Sequence, residues 1–384
     1  MRMESPSLIV KQAHSKLADE FAAVAELADR LDTQHASIVL FFCSPDYDLT
    51  KLGSALSAAF TVPIAGCTSA GQIGEHGYVH GGISAVSLSS PELRATPHLI
   101  SSLTDSTQAT EVGYRVAVDL ARGASSKGFG LLLIDGLSNA EERTAVALFE
   151  ALGDVPVVGG SAADDLTNKE TFVYHDGRFV TSAAVFVMFD TTLPFATFKV
   201  QHVVPGDRKL VITDADADQR IVFEINGKPA AQEYAAHIGV ELAALGPIVC
   251  AEHPLLLSIA GEHFVRGVRA VNPDGSISFY CAIDVGLVLT LGESRSPLEA
   301  LEAGFASVAK RVPQPTVVLG FDCFSRRMEF ERRGEDQAVG AWLAEHKVIG
   351  FCTYGEQYDA QHVNQTFTAV ALGESSTRAS SDLV

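Results

Sequence analysis

The sequence has no C-x-x-C pair, no basic run, and no apolar stretch near the ~20 residues a membrane-spanning helix needs. Each absence removes a class of protein. The six cysteines, at 43, 67, 250, 281, 323 and 352, stand far apart, so a zinc ribbon and a thioredoxin-type motif are excluded. That usage suits a reducing compartment, with cysteine as a small core residue or a lone thiol. Lys and Arg number 28 against 47 Asp and Glu, a net charge of −19. With no basic cluster to offset it, neither nucleic acid nor an anionic membrane is an expected partner. The first thirty residues carry no apolar h-region and read as a short lead-in followed by an amphipathic helix, not a signal peptide. A soluble, cytoplasmic protein is the expectation. Also missing are G-x-G-x-x-G, Walker A, G-x-S-x-G and H-E-x-x-H, so the expectation is a protein that is not an enzyme. The lack of C-x-x-C-H excludes covalent c-type haem.

What is present is a repeat. Residues 36–71, 129–162 and 315–356 each read as a buried strand, a polar turn, an amphipathic helix and a second short strand. The second strand ends in glycine and small polar residues: Gly66-Cys67-Thr68-Ser69, Gly159-Gly160-Ser161-Ala162 and Gly350-Phe351-Cys352-Thr353. Unbroken Val, Ile, Leu and Phe in the first strands predict coverage on both faces and parallel pairing within each unit. Alternating strands and turns follow, as at 78–90 and at 171–190 with its Asp176-Gly177 turn. The fold class expected is therefore α/β, with two domains and mixed sheets built on repeated strand–helix–strand units. In the second copy Ser138 and Glu141 have capping-box spacing. The expected divisions are a lead-in at 1–28, a first domain at 29–204, a second at 205–372 and a polar tail at 373–384.

Several stretches resemble the FIST sensory family. They are Gly66-Cys67-Thr68-Ser69-Ala70-Gly71, Gly350-Phe351-Cys352-Thr353-Tyr354-Gly355-Glu356, Cys323-Phe324-Ser325-Arg326, Asn364-Gln365-Thr366 and Asn226-Gly227-Lys228-Pro229-Ala230. The resemblance covers about residues 30–372, with domains of the FIST N and FIST C type. It implies a signal-input module that binds a small ligand, with haem-based nitric-oxide sensing through a partner histidine kinase as its leading version. The alternative is a haem-free sensor of an amino acid or another small metabolite, and a cysteine-dependent enzyme is a third class. With no kinase or cyclase region visible, the expectation is a stand-alone sensor acting through another protein.

The candidate ligand-binding residues are the strand-end groups Cys67, Thr68, Ser69, Gly71, Gly160, Ser161, Cys352, Thr353, Tyr354, Gly355 and Glu356, joined by Arg326. Backbone N–H groups at such ends face the crevice where α/β sheets take ligands. Close packing, with cysteine as filler, accounts for the same pattern. An Arg could hold a carboxylate such as a haem propionate, or Arg326 and Glu356 could form a structural pair. If haem b is the cofactor, His76, His80 and His362 are its candidate ligands, because they lie in loops following the two motifs. The ligand is expected in a cleft between the domains, lined by Cys67 to Gly71 and Cys352 to Glu356, with Arg326 at its rim.

Overall fold

In the computed structural model, residues 7–123, 127–259 and 261–375 are described. They contain one structural sentence written three times. The first unit runs β1 (Ile9–Ser15), α1 (Glu20–Arg30), β2 (Ile38–Cys43), α2 (Leu49–Ala59), β3 (Ile64–Thr68), a hairpin of β4 (Gln72–Gly74) and β5 (Gly77–Val79), and β6 (Ile83–Ser89). The second runs β7 (Leu93–Ile100), α3 (Thr107–Arg122), β8 (Gly128–Ile134), α4 (Glu141–Leu152), β9 (Val157–Ser161), the hairpin β10 (Val173–His175) and β11 (Arg178–Val180), and β12 (Ala184–Thr191).

The third unit opens with β13 (Phe195–Gln201) and then carries an insertion. Its members are β14 (Val203–Asp216), β15 (Ile221–Ile225), β16 (Lys228–Pro229), α5 (Ala230–Ile238), α6 (Pro247–Glu252), β17 (Leu255–Ile259), β18 (Glu262–Arg266), β19 (Val268–Val271), β20 (Ile277–Phe279) and β21 (Val288–Ser294). The pattern resumes with α7 (Pro297–Val308), β22 (Val317–Cys323), α8 (Phe324–Arg333), α9 (Asp336–Glu345), β23 (Val348–Thr353), the hairpin β24 (Glu356–Tyr358) and β25 (Gln361–Val363), and β26 (Thr366–Leu372).

Each unit makes a sheet of the same order: β1-β6-β2-β3, β7-β12-β8-β9 and β13-β26-β22-β23. The pairs β2/β3, β8/β9 and β22/β23 are parallel and the rest antiparallel, so the predicted mixed α/β sheets on strand–helix–strand units are present. The hairpins, however, leave home. Hairpin β4–β5 joins β23, β24–β25 joins β9, and β10–β11 joins β3. The exchange is cyclic: the first unit gives to the third, the third to the second, and the second to the first.

The hydrophobic runs follow from this arrangement. In β2, Ile38, Leu40 and Phe42 face a core shared by all three sheets, while Val39, Phe41 and Cys43 face α1 and α2. Strand β8 divides in the same way, with Leu131 and Leu133 inward and Leu132 and Ile134 toward α3 and α4. Phe42 of the first unit stacks on Phe351 of the third with centroids 4.5 Å apart. Each such fully buried ring contributes about 1.5–3 kcal/mol.

Three sequence expectations change in detail. Residues 9–15 of the lead-in form β1, hydrogen-bonded to β6 along its whole length. Strand β14 runs without a break through the expected boundary at 204/205. Helix α4 begins after Ala140 with no side-chain cap, because Ser138 sits in the preceding turn with its hydroxyl on the Asp135 carbonyl. Of the expected tail, residues 376–384 lie outside the described residues.

Candidate functional site

The exchange brings the ends of β3, β9 and β23 together. Pairing registers set their equivalence: Gly66, Gly159 and Gly350 each face the neighbouring unit's hairpin, at Tyr174, Gln357 and Ile73. Counting onward, Cys67 matches Gly160 and Phe351, and Thr68 matches Ser161 and Cys352. The two motif cysteines, Cys67 and Cys352, are therefore one position out of step. A ring of hydrogen bonds closes over this position. The Ala70 amide donates to Cys352 O (3.1 Å), Ala163 to Thr68 O (3.0 Å) and Tyr354 to Ser161 O (3.3 Å). Side chains repeat the logic, with Gln72 Nε2 donating to Ser69 Oγ at 2.9 Å and Thr353 Oγ1 donating to Glu356 Oε1 at 2.5 Å.

The structure thus unites the expected loops, since the Cys352 amide also donates to Gly71 O at 2.8 Å. It does so as a closed knot and not as an open cleft. Cys67, Thr68, Ser69, Gly71, Ser161, Cys352, Thr353, Tyr354, Gly355 and Glu356 are all buried. Gly160 has Thr353 and Phe351 packed where a side chain would stand. Gly71 takes φ +116°, a conformation that favours glycine, with Arg327 Nη1 against it. Burial pushes the Cys67 thiol well up and the Cys352 thiol up to about 12, the latter against the opposing pull of Arg327, whose Nη1 lies 3.8 Å from its sulfur. Cys67 lies in the apolar core, while His76 is exposed.

Arg326 lies not at a rim but wholly buried. Its Nε donates to Asp322 Oδ1 at 2.7 Å and its Nη1 to His202 Nδ1 at 3.0 Å. Since arginine cannot accept, His202 Nδ1 is the acceptor and its Nε2–H faces Glu329 Oε2 at 2.8 Å. Burial lowers the His202 pKa, consistent with that neutral tautomer. Tyr78 of the exchanged hairpin hydrogen-bonds the same Asp322. Glu356 is thus left without the arginine. It accepts from Thr353, the Thr366 amide (3.1 Å) and the Thr366 hydroxyl (2.6 Å), and burial pushes its carboxyl up to about 8. Sequence reasoning missed Asp322, His202, Glu329 and Tyr78. The available signal was an acidic residue, Asp322, at the end of the buried strand immediately before the Cys-x-x-Arg element.

The insertion roofs the knot. Tyr280 packs on Tyr354 (5.2 Å between centroids) and Phe324 (5.4 Å). Arg220 latches the roof to the second unit: Nη2 donates to Glu141 Oε2 at 2.9 Å and Glu142 Oε2 at 2.5 Å, and Nη1 holds the Tyr280 carbonyl. Tyr354 hydrogen-bonds Asp164, which also collects the amides of Asn168, Lys169 and Glu170.

The three candidate histidines do not fit a haem in this arrangement. His80 is exposed beside Glu331 at 3.3 Å, and His76 borders a hollow of about 20 Å³, far below the ~300 Å³ at which small-molecule sites begin. His362 Nε2 is buried and unpartnered, yet it lies 2.8 Å from where a Gly355 Cβ would be, leaving no room for a porphyrin face. Cavities of about 830, 600 and 560 Å³ carry no histidine. Among the described residues no group of three or more His, Cys, Asp or Glu is placed to hold a metal ion, and no helix is long and apolar enough to cross a membrane.

Comparison with known proteins gives two family matches, the FIST N domain over residues 37–228 and the FIST C domain over 230–359. A protein of Methanocaldococcus jannaschii whose function is uncharacterized is 30% identical over 105 residues, 27% of this chain and 20% of that protein's length. Two solved structures of cyanuric acid hydrolase, one from A. caulinodans, align over 95% of this chain and 99% of theirs. Each does so at 10% identity and a TM-score of 0.36, a likeness too slight to bear on fold or chemistry.

Proposed function

The chain belongs to the FIST family, whose domains are associated with small-ligand sensing in signal transduction, and from that premise we propose a haem-free sensor whose ligand enters the knot beneath Tyr280. One observation carries this reading. Four buried polar atoms around the knot have no partner: Gln72 Oε1, Arg326 Nη2, Gln357 Oε1 and His362 Nε2. Unsatisfied buried polar groups are costly and uncommon, and these four, two acceptors, a guanidinium donor and an imidazole nitrogen, are groups that a small polar metabolite would satisfy. The closed roof supplies the switch. A ligand that binds better with Tyr280 displaced shifts the population toward an undocked insertion, and the differential affinity sets the size of that shift. A partner protein in the cytoplasm, with a histidine kinase as the chemistry of choice, would read the displaced insertion.

The test is a thermal-shift screen of small polar metabolites on the full chain and on Gln357→Leu, with haem reconstitution alongside. A metabolite that raises the Tm of the wild type and not of Gln357→Leu supports the reading. A metabolite that stabilises both proteins equally places the ligand elsewhere and overturns the knot as its site. A Soret band that is lost in His362→Ala overturns the haem-free assignment.

A further inference from the structure

We propose that the hollow around Lys199 is a separate ligand site, taking a small organic carboxylate with a flat apolar body. Its volume is about 560 Å³, inside the ~300–1,000 Å³ range of small-molecule sites. It lies at a junction: Phe149 of α4, Lys199 of β13 and Ser307 of α7 meet Glu262 of the inserted β18, and Tyr358 and Gln361 come from the exchanged hairpin. The Lys199 ammonium sits 4.9 Å from the centroid of Phe264 and 5.7 Å from that of Tyr358. Such cation–π contacts hold an ammonium in place while leaving its N–H donors available. Among the described residues Lys199 makes no ion pair. Glu262 and Asp359 act on it only through space, and Asp359 Oδ1 is already occupied by the Val157 amide at 3.2 Å.

A chain of net charge −19 repels anions at large. Although Glu262 and Asp359 also line the hollow, Lys199 is a part-desolvated cation beside the rings of Phe264 and Tyr358, with Phe149 a further aromatic wall. It supplies what a carboxylate on a planar body needs: a point charge with free donors and flat apolar faces. The site shares no lining residue with the knot. It touches the same hairpin whose first residue is Glu356, so an occupant would bridge insertion, third unit and second unit at once.

The test is calorimetric titration of the full chain with sodium benzoate, with benzamide as the uncharged isostere. Benzoate is expected to saturate, and benzamide to bind at least about tenfold more weakly, as loss of a charge-assisted contact requires. Lys199→Met should also lose about tenfold or more. Glu262→Gln, an exposed change that leaves folding unaffected, should tighten benzoate binding a few-fold by removing a like charge. Gln357→Leu, the variant that tests the knot, should leave benzoate binding intact. Benzoate that fails to saturate the wild type, or an affinity unmoved by both Lys199→Met and Glu262→Gln, overturns the proposal.

Discussion

Glu356→Gln isolates a single buried carboxyl and should change how stability depends on pH. Burial raises the Glu356 pKa from 4.5 to about 8. Below about pH 4.5 the carboxyl is protonated in both folded and unfolded chains and costs nothing. As pH rises toward 8, the folded chain keeps a proton that the unfolded chain has released. Unfolding is then favoured by about 1.4 kcal/mol per pH unit. Above 8 both forms are ionised and the loss is complete, on the order of 5 kcal/mol in all. Glutamine fills the same volume, accepts from the Thr366 amide and donates to a threonine hydroxyl, yet does not titrate. Urea unfolding of both proteins at pH 5, 6, 7 and 8 should give stability curves that diverge steadily, with the variant gaining on the wild type as pH rises. Parallel curves over that range would refute the reasoning, because every other titrating group is common to both.

Two further outcomes follow from buried contacts. Arg220→Ala leaves Glu141 buried without its cation, which should cost about 3–5 kcal/mol and expose the insertion to limited proteolysis; insertion cleavage no faster than in the wild type would remove the latch. All six cysteines are buried, and burial pushes the Cys43, Cys67, Cys250, Cys281, Cys323 and Cys352 thiols up. A thiol reagent such as DTNB should therefore find none in the folded protein at neutral pH and all six in urea. Rapid labelling of Cys67 in the folded state would revive a thiol chemistry for this chain.

The three strand–helix–strand units were legible because a strand covered on both faces leaves an unbroken apolar run, and Val39-Leu40-Phe41-Phe42 says so without reference to anything distant. The hairpins after them were legible as hairpins, because Asp176-Gly177 demands the positive φ values of 46° and 82° found there. Their destinations were not legible. Whether Gln72–Val79 lies on its own sheet or on β23 depends on contacts hundreds of residues away, which leave no local period. The same limit governed the site. Arg326 and Glu356 stood out as charged members of two motifs, and pairing them was natural. The turn from β22 into α8 hands Arg326 to Asp322 instead, leaving Glu356 to threonines. His202 entered the cluster from an unremarkable strand end, where nothing in its neighbours announced a buried arginine.

The circular exchange of hairpins has a consequence for how this chain acquires its structure. Expressed alone, the first two units would keep β10–β11 on β3 but would leave β9 with an open edge and β4–β5 without a host. The third unit alone would have the opposite deficit. No piece can complete its own sheet, so closing the ring commits the first unit and the last to each other. Residue pairs such as Ile73 and Gly350 must find each other across most of the sequence. High contact order of this kind slows folding and makes its final step all-or-none. The same closure would make melting concerted: loosening one junction withdraws a neighbour's edge from each of the others in turn.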